Sequence, residues 1–250
     1  MMRAEPSQPT RPALVAVAHG TRDPAGPQVI DGLLAAVRRR LPDVEVITAY
    51  VQLVNPGLEE VMSRVGRPAV VVPLLLSSGY HITKDVPAAA ALSAGPVHVA
   101  PPLGPDRHLA RVMTARLREA GAQWGDGVVL VAAGSSDPAG LADGERAAAL
   151  LQAEWGPWVS YACLSGAGPN VSSAVEQHRR SGAGRVCVAP YLLAPGRFSH
   201  EVRDQAVAAG ATVVAPVLGG HRLMTDLILR RYAQGLCALA AQPSVAAQLA

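Results

Sequence analysis

The sequence predicts two homologous α/β lobes, each a parallel sheet flanked by helices, with a cleft between them. Two observations predict the class. Short runs rich in Val and Leu alternate with longer amphipathic or alanine-rich stretches, as parallel strands alternate with crossover helices. The whole order of runs then occurs a second time within 250 residues, a length that suits two lobes.

In the first half, strands are expected at Ala13–Ala18, Val44–Tyr50, Ala69–Leu75 and Val97–Ala100, and helices at Pro27–Arg40, Pro56–Arg64, His81–Leu92 and Pro105–Ala120. Pro27, Pro56 and Pro105 stand near first helical turns, where a missing N–H costs little. Gly121–Gly127 reads as a hinge. Strands return at Val128–Ala133, Val159–Cys163, Arg185–Tyr191 and Thr212–Ala215, with helices between them and a further helix beyond Tyr232. The predicted organisation is a disordered tail at 1–12, an N-terminal lobe at 13–122 and a C-terminal lobe at 127–240.

The duplication rests on three ordered blocks. Gly20-Thr21-Arg22-Asp23-Pro24-Ala25 aligns with Gly134-Ser135-Ser136-Asp137-Pro138-Ala139, and Pro73-Leu74-Leu75-Leu76 through Gly79 aligns with Pro190-Tyr191-Leu192-Leu193 through Gly196. Ala100-Pro101-Pro102-Leu103-Gly104 aligns with Ala215-Pro216-Val217-Leu218-Gly219. The offsets are 114, 117 and 115 residues, and three blocks at nearly one offset mark an internal repeat.

Composition narrows the class. Half of the residues are hydrophobic, and 22 Lys+Arg against 19 Asp+Glu leave a net charge of +3, which suits a small anionic ligand and announces no nucleic-acid partner. Cys163, Cys187 and Cys237 fall singly, without the spacing of a zinc ribbon or an iron–sulfur cluster. The apolar run Ala13–Ala18 is too short for a signal sequence or a membrane span, so the reading is a cytoplasmic protein with no membrane partner. No G-x-G-x-x-G follows either first strand, which removes a dinucleotide-binding module, and no organic cofactor is expected.

Ligands of parallel sheets bind beyond the carboxyl ends of the strands. Those positions hold His19-Gly20-Thr21-Arg22-Asp23-Pro24 and Ser77-Ser78-Gly79-Tyr80-His81, so each segment brings a histidine to a strand end. The equivalent places in the second lobe hold Ala133 and Phe198. A single site built on one lobe and covered by the other is therefore expected.

Ala18-His19-Gly20-Thr21-Arg22-Asp23-Pro24, together with Pro73 through Pro87, resembles the class II chelatases that act on sirohydrochlorin, ferrochelatase or cobaltochelatase (CbiX/SirB-like), in their long two-lobe form. The similarity is sharpest at Gly79-x-His81-x-x-x-Asp85-x-Pro87 and runs through both lobes. It implies a tetrapyrrole cleft, with His19 and His81 as metal-handling and catalytic residues and sirohydrochlorin as the partner. One position departs: where the family often carries a carboxylate after the second strand, this chain reads Tyr50-Val51-Gln52, and Gln52 can offer only a carbonyl oxygen.

The chemistry asks for such residues. Metallation removes pyrrole protons and presents a partly dehydrated divalent ion to the ring. Imidazole suits both tasks, and its neutral form suits Fe2+, Co2+ and Ni2+. Fe2+ is the expected metal substrate, with Co2+ or Ni2+ as alternatives. On a helix Asp85 shares a face with His81 and can orient its ring. The polycarboxylate macrocycle calls for cations, backbone N–H groups and apolar surface. Arg22, Lys84, Arg197 and Arg203 are the candidate cations, Ser78 and Gly79 lie in the same strand-end segment, and Tyr80 and Phe198 are placed to touch the ring. His200 and His221 are candidate auxiliary contacts, whereas His98, His108 and His178 read as structural or surface residues.

The sequence leaves a non-catalytic tetrapyrrole or metal carrier as the main alternative. A histidine phosphatase is weaker, because Ala18 stands where its arginine would precede the histidine. A monomer or weak homo-oligomer is expected, since a duplicated chain already supplies both sides of a cleft.

Overall fold

The structure is a computed structural model, and it describes residues 11–241. The tail expected at 1–12 falls almost wholly on residues outside that range. The N-terminal half runs β1 (Ala13–Ala18), α1 (Ala25–Arg40), β2 (Val46–Tyr50), α2 (Leu58–Arg64) and β3 (Ala69–Pro73). A π-helical turn at His81–Asp85 then leads into α3 (Val86–Ala90), β4 (Val97–Val99) and α4 (Arg107–Glu119). The C-terminal half runs β5 (Gly127–Ser135), α5 (Pro138–Trp155), β6 (Val159–Gly166), α6 (Val171–Arg180), β7 (Val186–Pro190), α7 (Arg197–Ala208), β8 (Val213–Val214) and α8 (Arg222–Ala240).

Each half forms a parallel four-stranded sheet, in the orders β2-β1-β3-β4 and β6-β5-β7-β8. The registers repeat as well: Leu14 lies opposite Val46 and Val70, and Val128 opposite Val159 and Cys187. β1 is buried at every residue, which is why it reads as an unbroken apolar run rather than an alternating one. α1 buries Ile30, Leu33, Leu34 and Val37, a helical stripe, and ends in Arg38, Arg39 and Arg40, where cations meet the negative end of the helix. The Asp137 carboxylate caps α5 by accepting the Ala139 N–H, with Pro138 at the first turn.

The expected helix at His81–Leu92 differs most from the structure, since its first turn is π-helical and its α-helical part spans only Val86–Ala90. The Gly79 carbonyl accepts both the Thr83 N–H and the Thr83 hydroxyl.

The last helix of each half crosses to the other. α4 packs on α5 and β7, and α8 packs on α1, β3 and β4. Arg116 of α4 donates to the Leu218 carbonyl, while Arg231 of α8 donates to the carbonyls of Pro102 and Leu103, and the Tyr232 hydroxyl donates to the Pro12 carbonyl. α8 approaches so closely that a Cβ at Gly235 would lie 2.3 Å from Val70 Cγ1. One hydrophobic core consequently runs from Leu14, Leu34 and Val70 through both crossed helices to Leu130 and Tyr191, and a separate apolar cluster lies on the other face of each sheet. Among the described residues no helix is long and apolar enough to cross a membrane.

Candidate functional site

β1 and β2 keep their pairing one step past their ends: Val51 N–H donates to the Ala18 carbonyl, and Gln52 N–H to the His19 carbonyl. His19 and Gln52 therefore emerge side by side. Gly20 makes this approach feasible. Its φ is +96°, and a Cβ there would sit 1.8 Å from the Gln52 carbonyl oxygen, so no other residue fits without moving the segment. Gly134 repeats the device at φ +97° against the Ser165 carbonyl, which shows that it belongs to the scaffold of both lobes.

His81 arrives from the end of β3. Its ring stands edge-on to that of His19, with centroids 5.1 Å apart. The two imidazoles that sequence places 62 positions apart are thus neighbours in space. His81 Nδ1 lies 2.6 Å from Asp85 Oδ2, so the carboxylate accepts the Nδ1 proton and leaves the Nε2 lone pair available. At His19, Nδ1 lies 3.1 Å from the Gly20 carbonyl oxygen, which can only accept. His19 Nε2 is then the lone-pair atom, and it accepts from the Gln52 amide at 3.1 Å. The same tautomer is selected at both rings, by a carbonyl at one and a carboxylate at the other. Among the described residues no group of three or more His, Cys, Asp or Glu side chains is arranged to hold a metal ion.

The remaining sequence-selected residues divide by setting. Arg22, Lys84 and Arg203 are exposed, and among the described residues no ion pair or hydrogen bond engages their side chains. Arg197 is also exposed, 3.9 Å from Glu201 and over the Phe198 ring. Tyr80 is 67% exposed, with its ring 6.3 Å from that of His81. Phe198, the repeat partner of His81, is exposed in the second lobe. Ser78 and Gly79 are half-buried in the segment that carries His81.

His200 is not isolated: its Nε2 lies 2.8 Å from Asp23 Oδ2, across the two lobes. That contact, with the Ala25 N–H, holds the Asp23 carboxyl below its ordinary range. His221 accepts the Leu223 N–H and so caps α8; burial first, and the Arg116 charge second, push its pKa down. His178 is buried against the Ser160 hydroxyl, and burial depresses its pKa too, while His108 pairs with Asp106. Sequence reasoning had no sign of Leu53, which follows Gln52, is 53% exposed and has φ +67°. It also missed Asp23 as the partner of His200, since a contact between residues 177 apart leaves no local pattern.

Residues 13–120 and 127–235 each match the CbiX family, one match per lobe. A sirohydrochlorin ferrochelatase of Priestia megaterium is 26% identical over 225 residues, covering 84% of this chain and 85% of the relative. A sirohydrochlorin cobaltochelatase of Methanosarcina acetivorans is 28% identical over 123 residues, 43% of this chain and 95% of the relative. Among solved structures, SirB from Bacillus subtilis with Fe3+ superposes with a TM-score of 0.78 at 22% identity, covering 93% of this chain and 98% of that one, and so shares its fold.

Proposed function

Because this chain belongs to the CbiX family, we propose that it is a sirohydrochlorin chelatase that inserts Fe2+ as its preferred metal, with His19 and His81 as metal ligands and proton acceptors. The observation that carries the reading is the pair of edge-to-face imidazoles, each with Nδ1 tied to an oxygen and Nε2 left as the lone-pair atom. Two neutral nitrogens bind a divalent ion, and with no third His, Cys, Asp or Glu ligand among the described residues they leave it open to the macrocycle nitrogens. An Nε2 freed of metal is the atom that accepts a pyrrole proton, and at His81 the Asp85 carboxylate holds the ring in place for it. At His19 the incoming metal must displace the Gln52 amide, which has no negative charge to offer in return.

Arg22, Lys84 and Arg203, without ion pairs among the described residues, are cations for the macrocycle's carboxylates, and Tyr80, Phe198 and Leu53 provide apolar surface for its ring. Fe2+ is preferred to Co2+ because the relative named for iron matches across both lobes, whereas the one named for cobalt spans less than half of this chain. The test is anaerobic absorbance spectroscopy with sirohydrochlorin and Fe2+ or Co2+, against a protein-free control and the His19→Ala/His81→Ala double variant. Metal-dependent conversion over many turnovers, absent in the variant, supports the enzyme and ranks its metals. A bound but unconverted macrocycle would make the protein a carrier.

A further inference from the structure

The second lobe lacks both histidines, yet it reaches into the segment that places His81. The Tyr191 hydroxyl, on a fully buried ring, donates to the Leu76 carbonyl at 2.8 Å. Asp143 of α5, 5% exposed, accepts the Ser78 N–H at 2.8 Å. Gly140, one turn earlier on α5, lies so near that a Cβ there would come within 2.7 Å of the Ser78 carbonyl oxygen. The Leu76–Tyr80 segment is thus held from the opposite lobe by two hydrogen bonds, at Leu76 and Ser78, and lies close against α5 at Gly140.

The internal repeat supplies a control for whether these contacts are only scaffold. The close approach is symmetric, since a Cβ at Gly26 would meet the Pro195 carbonyl at 2.9 Å, and Gly26 and Pro195 are the repeat partners of Gly140 and Ser78. The hydrogen bonds are not symmetric. The partner of Ser78 is Pro195, which has no N–H, and the partner of Asp143 is Val29, which has no acceptor in its side chain. The partner of Tyr191 is Leu74, which has no hydroxyl. Both bonds exist only on the side that carries His81. A buried carboxylate and a buried phenol are costly to keep without partners, so their presence on that side alone marks a specific task.

We infer that Asp143 and Tyr191 are positioning residues that hold the Leu76–Tyr80 segment, and through it His81, at its working distance from His19. The inference rests on the reading of His81 as a catalytic group. A displacement of about 1 Å at a reacting group costs up to ~100-fold in rate, so release of the segment should lower kcat and leave binding at the exposed cations and rings intact.

The experiment compares Asp143→Ala, Asp143→Asn and Tyr191→Phe with the unaltered full-length protein, by steady-state Fe2+ insertion at varied sirohydrochlorin and by amide hydrogen exchange of peptides covering 74–82. Asp143→Ala and Tyr191→Phe should each lower kcat about tenfold or more with KM within about twofold, and should speed exchange of that segment. Asp143→Asn keeps an oxygen for the Ser78 N–H and should recover most of the rate and the protection. Unchanged exchange or unchanged kcat in Asp143→Ala and Tyr191→Phe overturns the inference. If Asp143→Ala does not fold, Tyr191→Phe decides by the same two readouts. His81→Ala, measured alongside, separates the two claims: full activity there refutes the catalytic reading, whereas the exchange data test the support of the segment on their own.

Discussion

Removing the carboxylate of Asp85 isolates what orienting one imidazole contributes. Its side chain makes no capping bond to α3, and among the described residues its one side-chain partner is His81 Nδ1 at 2.6 Å. Asp85→Ala should therefore leave the fold intact and free the His81 ring to rotate and to change tautomer. A hydrogen bond to a charged group contributes about 1.5–3 kcal/mol. With the two side chains 31% and 36% exposed, the low end applies, about 1.5 kcal/mol, or roughly tenfold in rate. That lies at the lower edge of the ~10–100-fold losses seen when groups orienting metal-binding histidines are removed. The assay is the initial rate of insertion at saturating sirohydrochlorin with varied Fe2+, beside a thermal melt of each protein. A tenfold fall in kcat/KM for the metal with an unshifted melt is expected. Wild-type rates in Asp85→Ala would show that ring orientation at His81 does not limit the reaction, and a large drop in melting temperature would show that the carboxylate serves the fold instead.

Other substitutions probe the rest of the site. His81→Ala should abolish insertion while sirohydrochlorin still binds, as followed by its absorbance, and His98→Ala in β4 should leave the rate unchanged; equal losses from both would refute the assignment. Gln52→Glu places a carboxylate beside His19 Nε2 and should lower the half-saturating Fe2+ concentration by roughly tenfold, since affinity for divalent ions follows ligand charge; an unchanged or higher value would remove Gln52 from the metal path. Asp106 joins α4 to α8 through Arg230, Arg231 and His108, and Asp106→Ala should cost about 3 kcal/mol in denaturant unfolding, as for a broken buried ion pair. Burial opposes the Asp106 carboxylate, but the His108 N–H and the Arg230 and Arg231 charges outweigh it and hold its pKa below the ordinary 3.8. The unfolded chain thus takes up the proton first, so this contribution is complete above 3.8 and is lost as pH falls through the folded value. Melting temperatures of wild type and Asp106→Asn should converge in acid; a gap that stays constant down to pH 3 would contradict the linkage.

Much of the architecture was legible because it is carried by local signals. Ala13–Ala18 is apolar throughout and is a central strand, and the ends of α1 and α5 follow from charge and capping residues. His19 and His81 were legible as a pair because each follows a strand of one parallel sheet, and strands that share an edge bring their ends together. The His81–Asp85 contact followed from spacing, although the segment is a π-helical turn rather than an α-helix. The edge strands β2, β4 and β8 were read one or two residues too long, as at Thr212–Ala215 against Val213–Val214, whereas the edge strand β6 was read too short, at Val159–Cys163 against Val159–Gly166.

The sequence by itself determined the repeated α/β plan, the two histidine-bearing strand ends and the asymmetry between lobes, since each depends on residue order within a few turns or on a repeat visible along the chain. Only the tertiary structure decided that α4 and α8 exchange lobes, that Gln52 donates to His19, that Asp23 meets His200 and that Asp143 and Tyr191 hold the segment before His81. These contacts join residues 33 to 177 positions apart, and two of them end on backbone N–H or C=O groups. Every residue except proline offers both groups, so a serine or leucine at the receiving position does not announce them.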